Sequence, residues 1–129
     1  MKQYLVDSDV LMDFFKKKDY AVSLLDKLLK QGTLAASILS ITEIRAGWNK
    51  EQAEYLLPRL YKILMIKNLN QKIAEMAGEF RWVYKLKGRS LPTVDSLIAA
   101  TAILDKYQLV TRNKKDFPMS QIKLYPIEE

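Results

Sequence analysis

The chain contains no cysteine and no histidine in its 129 residues. The first absence excludes disulfides, thiolate nucleophiles and the usual zinc sites. The second removes Ser-His-Asp triads and every histidine general base. No apolar run approaches the roughly 18 residues that a membrane span needs. A signal-peptide pattern is also missing, because Asp7 and Asp9 interrupt the candidate apolar stretch at the N-terminus. The expectation is a cytoplasmic protein with no membrane partner. If such a chain is an enzyme working near neutral pH, carboxylates carry its chemistry, and a hard cation such as Mg²⁺ or Mn²⁺ is the natural cofactor.

What is present fits one hydrophobic core. Hydrophobic residues make up 49% and aromatics 10%, ordinary values for a globular chain. No repeat, low-complexity tract or composition shift marks a boundary, so residues 1–129 are expected to form a single domain. The formal charge is +6, from 21 basic and 15 acidic residues. That balance is compatible with nucleic acid and specifies nothing alone.

Periodicity predicts alternating strands and helices. "QYLVD" reads as a short buried strand, Gln3 to Val6, ending at Asp7. "SDVLMDFFKK" has helical spacing, and "YAVSLLDKLLKQG" is an amphipathic helix closed by Gly32. "TLAASIL" is a second strand, followed by a helix opening at "SITEIRAG". "NKEQAEYLLPRLYK" is helical, with Pro58 expected to kink or split it. "ILMIKNL" holds a third strand, Ile63 to Ile66. A long helix runs from an Asn70 cap to Gly88, and "TVDSLIAATAILDKYQ" forms another. "LVTR" and "IKLYP" are the last two strands. The expected architecture is an α/β three-layer sandwich, about five mostly parallel strands with helices on both faces.

Ligands of such sheets gather beyond the carboxyl ends of the strands, at a topological switch point. Asp7 follows the first expected strand, Glu43 opens a helix after the second, Asp95 opens the helix before the fourth, and Asn113 with Asp116 follow it. Each acid also has a bland reading. Asp9 caps the first helix, and Asp13 is expected to be a solvated helix residue. "SITE" makes a good capping box, with Glu43 bonding back to Ser40. Thr93 is a candidate cap with Asp95 stabilised by the helix dipole, and Asp116 is a turn acid before Pro118. Individually these signals are weak, but their order along the chain is specific.

That order resembles the PIN-domain ribonucleases, particularly the VapC-like toxins of prokaryotic toxin–antitoxin pairs, over nearly the whole chain. "YLVDSDVLMDFF" is similar to the family's opening strand, first catalytic Asp, hydroxyl residue and apolar helix. "SILSITEIRAG" resembles the segment bearing the second acid, Glu43. "DSLIAATAILDKYQLVTRNKKDF" resembles the most specific stretch, with the third acid, Asp95, and a Thr-Arg-Asn turn before Asp116. This chain departs in carrying Asp9 where relatives commonly have Asn or Ser. At the fourth site it has Asn113 after "TR" with Asp116 shortly beyond, so either residue is a candidate there.

Residues and resemblance together imply an Mg²⁺- or Mn²⁺-dependent endoribonuclease, the toxin of a type II toxin–antitoxin system. Asp7, Glu43 and Asp95 are the expected principal metal ligands, direct or through water. Asn113 and Asp116 complete the site, with Asp116 the further ligand, and Thr111 or Ser8 orients a ligand or phosphate. Lys16, Lys17 and Lys18, then Lys85, Lys87 and Arg89, then Arg112, Lys114 and Lys115 are either RNA-backbone contacts or solvated faces. The resemblance implies a cognate VapB-like antitoxin, received as an amphipathic segment on the apolar faces of "AVSLLDKLL" and "AEYLLPRLY", and a homodimer. Three rivals are a PIN-fold RNA-processing nuclease outside a toxin–antitoxin pair, a receiver-like Mg²⁺-binding switch, and a purely structural or binding domain with a degenerate site, against which the presence of all the main acids argues. The receiver needs an acid after the third strand, where the chain reads "ILMIKNLNQK".

Overall fold

In the computed structural model, which describes residues 1–127, strand β1 (Lys2–Val6) runs through the middle of a four-stranded parallel sheet. It is followed by α1 (Ser8–Phe15), α2 (Asp19–Gln31), β2 (Gly32–Ser37), α3 (Ile38–Ala46), α4 (Lys50–Ile63) and β3 (Met65–Lys67). Then come α5 (Gln71–Leu86), α6 (Thr93–Leu104), β4 (Gln108–Val110) and a 3₁₀ turn, Lys114–Asp116. The sheet order is β3-β2-β1-β4. The chain first builds outward on one side of β1, then returns to its other side with β4, which places the switch point at the carboxyl ends of β1 and β4.

Alternation along β1 creates two cores, because successive side chains leave a strand on opposite faces. Tyr4 and Val6 pack with Val10 and Leu11 of α1, Leu25 and Leu28 of α2, Ile44 of α3 and Leu60 of α4. Leu5 faces the other way, against Phe80 of α5, Ile98, Ala99 and Ala102 of α6, and Leu109 of β4. The sheet is thus covered on both faces. The small residues of α6 allow close packing there: Ala99 and Ala100 are fully buried.

Close approach also explains Gly32. It pairs with Lys2 across the β1–β2 ladder, and a Cβ at residue 32 would stand 2.0 Å from the Lys2 carbonyl oxygen. Gly32 ends α2 as expected, and its backbone is already extended as the first residue of β2.

Several boundaries differ from the sequence reading. The second strand stops at Ser37, whose Oγ accepts from the Leu39 backbone N–H at 3.1 Å and caps α3. The third strand is Met65–Lys67, because Ile63 stays in α4. Pro58 does not split α4. Both Pro58 and Glu54, whose carbonyl loses its helical donor there, are exposed, so the loss falls on the solvent side. The fourth strand spans Gln108–Val110, and the fifth is reduced to a single parallel bridge between Leu109 and Leu124. Leu109 donates to the Lys123 carbonyl and Tyr125 to the Leu109 carbonyl, both at 2.8 Å. Pro126 then offers no N–H to extend the ladder.

Candidate active site at the carboxyl end of the sheet

Asp7 is the residue at which β1 becomes α1. Its backbone N–H donates to the Val110 carbonyl at 2.9 Å, extending the β1–β4 ladder by one bond, and it also serves as the N-cap of α1. One carboxylate oxygen accepts from the Ser8 N–H and the other from Thr111 Oγ, both at 2.9 Å. Asp7 is 6% exposed. Burial, followed by repulsion from Asp9, raises its pKa to about 7, with a further push from Asp95 and partial relief from Thr111 and Ser8. A buried carboxylate bonded only to neutral donors and flanked by acids holds its negative charge poorly.

The neighbouring acids converge from other segments. Asp95, in the first turn of α6, is raised to about 6 by burial, then by Asp116, Glu43 and Asp9. Asp116 accepts a hydrogen bond from the Asn113 side-chain amide. Glu43 lies on exposed α3 surface and accepts from Ser8 Oγ at 3.1 Å. The structure therefore brings Asp7, Glu43, Asp95, Asn113 and Asp116 to one rim. Asp9, whose function the sequence left open, accepts from the Val10 and Arg112 N–H groups at 2.7 and 2.9 Å. It clamps the turn after β4. Thr111 Oγ accepts from the Asn113 N–H at 3.0 Å while donating to Asp7, so one hydroxyl ties the β1 acid to the turn bearing Asn113.

Four bland readings fail. Asp9 does not cap α1: Asp7 holds that position and Asp9 lies in the first turn. Ser40 is not the cap of α3: it sits inside the helix, buried, its Oγ without a hydrogen-bond partner among the described residues. With Ser37 in the cap position, Glu43 is left free of a capping box and turns to Ser8. Thr93 is likewise no cap. Pro92 holds that position, and Ser96 Oγ donates to its carbonyl at 2.8 Å. Asp13, expected in solvent, is buried at 9% exposure. It accepts from the Tyr20 hydroxyl and pairs with Lys18 at 3.1 Å and Arg112 at 3.5 Å. Helical spacing alone could not show that Tyr20 and Arg112 close over this face of α1.

The donor set is oxygen only, which suits a hard divalent cation. Among the described residues, no group of three or more acids converges closely enough to grip one ion directly. Coordination partly through water, as Mg²⁺ prefers, fits that spacing.

A PIN-domain family model matches residues 4–121. The chain belongs to the PIN-domain family. Among similar proteins, Ribonuclease VapC1 of Methanocaldococcus jannaschii is 31% identical over 113 residues, covering 88% of this chain and 77% of the relative. Ribonuclease VapC19 of Mycobacterium tuberculosis is 31% identical over 116 residues, covering 89% and 92%. A crystal structure of VapBC2 from Rickettsia felis bound to a promoter DNA fragment holds a chain that superposes with a TM-score of 0.83 at 28% identity, covering 95% of this chain and 97% of that one. The same PIN fold accommodates the four-stranded sheet seen here. No described helix of this PIN-domain chain is long and apolar enough to cross a membrane.

Proposed function

We propose that this chain is a divalent-metal-dependent endoribonuclease, acting in the cytoplasm as the toxin of a type II toxin–antitoxin pair, with residues 1–129 as a single PIN-like domain. The observation that carries the reading is the convergence of Asp7, Glu43, Asp95 and Asp116 on the switch point of the sheet, from four separate segments. The resemblance to VapC ribonucleases supports the substrate class.

Asp7, Asp95, Glu43 and Asp116 would hold Mg²⁺ or Mn²⁺, directly or through water, with Asn113 completing the site. When bound, the cation supplies an activated water at neutral pH and positive charge for the phosphodiester oxygens. The remaining work belongs to the protein. Thr111 and the Ser8 N–H fix the two oxygens of Asp7, Ser8 Oγ aims Glu43, and Asn113 holds Asp116. Asp9 keeps the Thr111–Arg112 turn in place.

The antitoxin reading has a matching surface. Between α1, α2 and α4 lies a groove of about 780 Å³ lined by Phe14, Phe15, Val22, Tyr55, Leu56 and Ile63, among others. It draws on both helix faces expected to receive an amphipathic segment, and α1 adds two phenylalanines. Leu25, Leu28 and Leu60 of those helices instead face inward as core. For the expected homodimer, α3 offers a shallow apolar face at Ile38, Ile41 and Ala46.

The test is cleavage of a mixed RNA pool with Mg²⁺, Mn²⁺ or EDTA, together with growth after expression without an antitoxin. Metal-dependent cleavage and toxicity, both lost in Asp7→Asn and Asp95→Asn, are expected. A folded protein that cleaves equally well in EDTA would overturn the metal reading. Cleavage without toxicity would favour an RNA-processing nuclease.

A further inference from the structure

We propose that the cavity where α5 turns into α6 is a nucleotide subsite for single-stranded RNA, in which one base stacks on the Trp82 indole and Lys85 and Arg89 take the phosphates. The proposal rests on the ribonuclease reading and specifies where the strand lies as it reaches the acids.

The two tryptophans are placed very differently. Trp48 is 9% exposed and meets Phe15 edge-on at 5.2 Å, as a core residue should. Trp82, on α5, is 62% exposed. A lone exposed aromatic is ordinary, but this one borders an open cavity of about 480 Å³ whose lining includes Arg81, Lys85 and Arg89 and no acid. An indole beside three cations is the combination that binds single strands: bases stack on the ring irrespective of sequence, and the cations follow the backbone. Gly88, at φ 78, reverses the chain between Lys85 and Arg89 and sets both on the wall of one cavity.

The cavity is joined to the acidic rim at two points. The Arg89 guanidinium donates to the Lys115 carbonyl, one residue before Asp116. Arg81 Nε donates to the Leu91 carbonyl at 3.2 Å, on the segment that enters α6 and leads to Asp95. A strand seated on Trp82 is thereby held beside the segments that lead to Asp95 and Asp116.

The experiment titrates the full chain with a ten-nucleotide oligoadenylate RNA in EDTA, so that nothing is cut, following tryptophan fluorescence and anisotropy at several salt concentrations. Wild type should bind with quenching. Trp82→Ala should weaken binding about tenfold, and Trp82→Phe, which keeps a stacking ring, should recover most of it. Lys85→Ala should reduce the salt slope by about one. In metal-dependent cleavage, Trp82→Ala should raise KM more than it lowers kcat. Circular dichroism checks folding, which substitution of so exposed a residue should spare. Unchanged affinity and KM in Trp82→Ala, with wild type binding and cleaving RNA, would overturn the subsite alone. A wild-type protein that neither binds nor cleaves RNA would overturn both readings. Altered self-association in Trp82→Ala with unchanged RNA affinity would assign the indole to a contact between copies, and the subsite would be wrong.

Discussion

Asp7 and Asp13 lie on the same short segment and both expose little surface, 6% and 9%, yet the structure treats them in opposite ways. For both, burial is the largest influence and pushes the pKa up. At Asp13 the push is overcome by hydrogen bonds from Tyr20 and Lys18 and the charges of Lys18 and Arg112, so its pKa falls below the ordinary value. Asp7 lies deeper, its helpers are neutral and its neighbours are acids, so the shift upward remains. Burial of a carboxylate is thus no signature of function; what compensates the charge decides its role. Asp13 has its cations in the chain. Asp7 has none and is flanked by Asp9 and Asp95, which is the setting in which an external cation gains most.

The contrast predicts a graded series of effects. Asp7→Asn and Asp95→Asn should lower metal-dependent RNA cleavage by more than about a hundredfold, beyond the 10–100-fold usual for residues that only support metal ligands. The amide keeps the shape and the cap of α1 and removes the charge. Glu43→Gln should also inactivate, although its amide oxygen can still accept from Ser8. Wild-type cleavage rates in any of the three would remove that residue from the site.

Thr111→Val should come next, with metal affinity and cleavage reduced roughly 10–100-fold and the fold kept, because Asp7 loses the hydroxyl that aims it. Calorimetric titration with Mn²⁺ separates the binding loss from a catalytic one, and unchanged affinity would make Thr111 a backbone fixture only. Asp13→Asn should act on stability, not on metal affinity. Loss of its ion pairs should cost about 1–2 kcal/mol, since Lys18 and Arg112 are themselves partly exposed, read as a lower denaturation midpoint. A large loss of Mn²⁺ affinity in folded Asp13→Asn would erase the distinction between the two acids.

The smallest effect is in pH dependence. Asp7 has a folded pKa of about 7 against an ordinary 3.8, so between those values the folded state holds a proton that the unfolded chain gives up. This group therefore costs stability progressively as pH rises from about 4 to about 7 without metal. Asp13, with a lowered pKa, works in the opposite sense: its contribution is present above the unfolded value and lost as pH falls. Thermal melts in EDTA should show Asp7→Asn gaining on wild type from pH 4 to 8, and Asp13→Asn losing least at the acidic end. Parallel curves for Asp7→Asn and wild type would contradict the placement of Asp7 among uncompensated acids.

The order of acids along the chain, the strand–helix alternation and the absence of histidine and cysteine were legible without coordinates, since each depends on residue type and local spacing. Local spacing also supplied the Asn70 cap, observed with the side-chain Oδ1 accepting from the Ile73 N–H at 2.9 Å. It failed where a local motif competed with a distant partner. "SITE" has the pattern of a capping box, but Ala35, Ala36 and Ser37 pair with β3, and that ladder sets the cap at Ser37 and releases Glu43 toward Ser8. Asp13 has the spacing of a surface helix residue until Tyr20 and Arg112 close over it. "IKLYP" has strand composition, but its pairing with β4 depends on how the final segment crosses Leu109. Sequence determined which groups this protein can bring to a site, because residue chemistry and helical or strand period are local properties. Only the tertiary structure decided which buried acid meets a cation and which meets another acid, because those encounters join segments as distant as Asp7 and Thr111, and their energy depends on separation and burial in space.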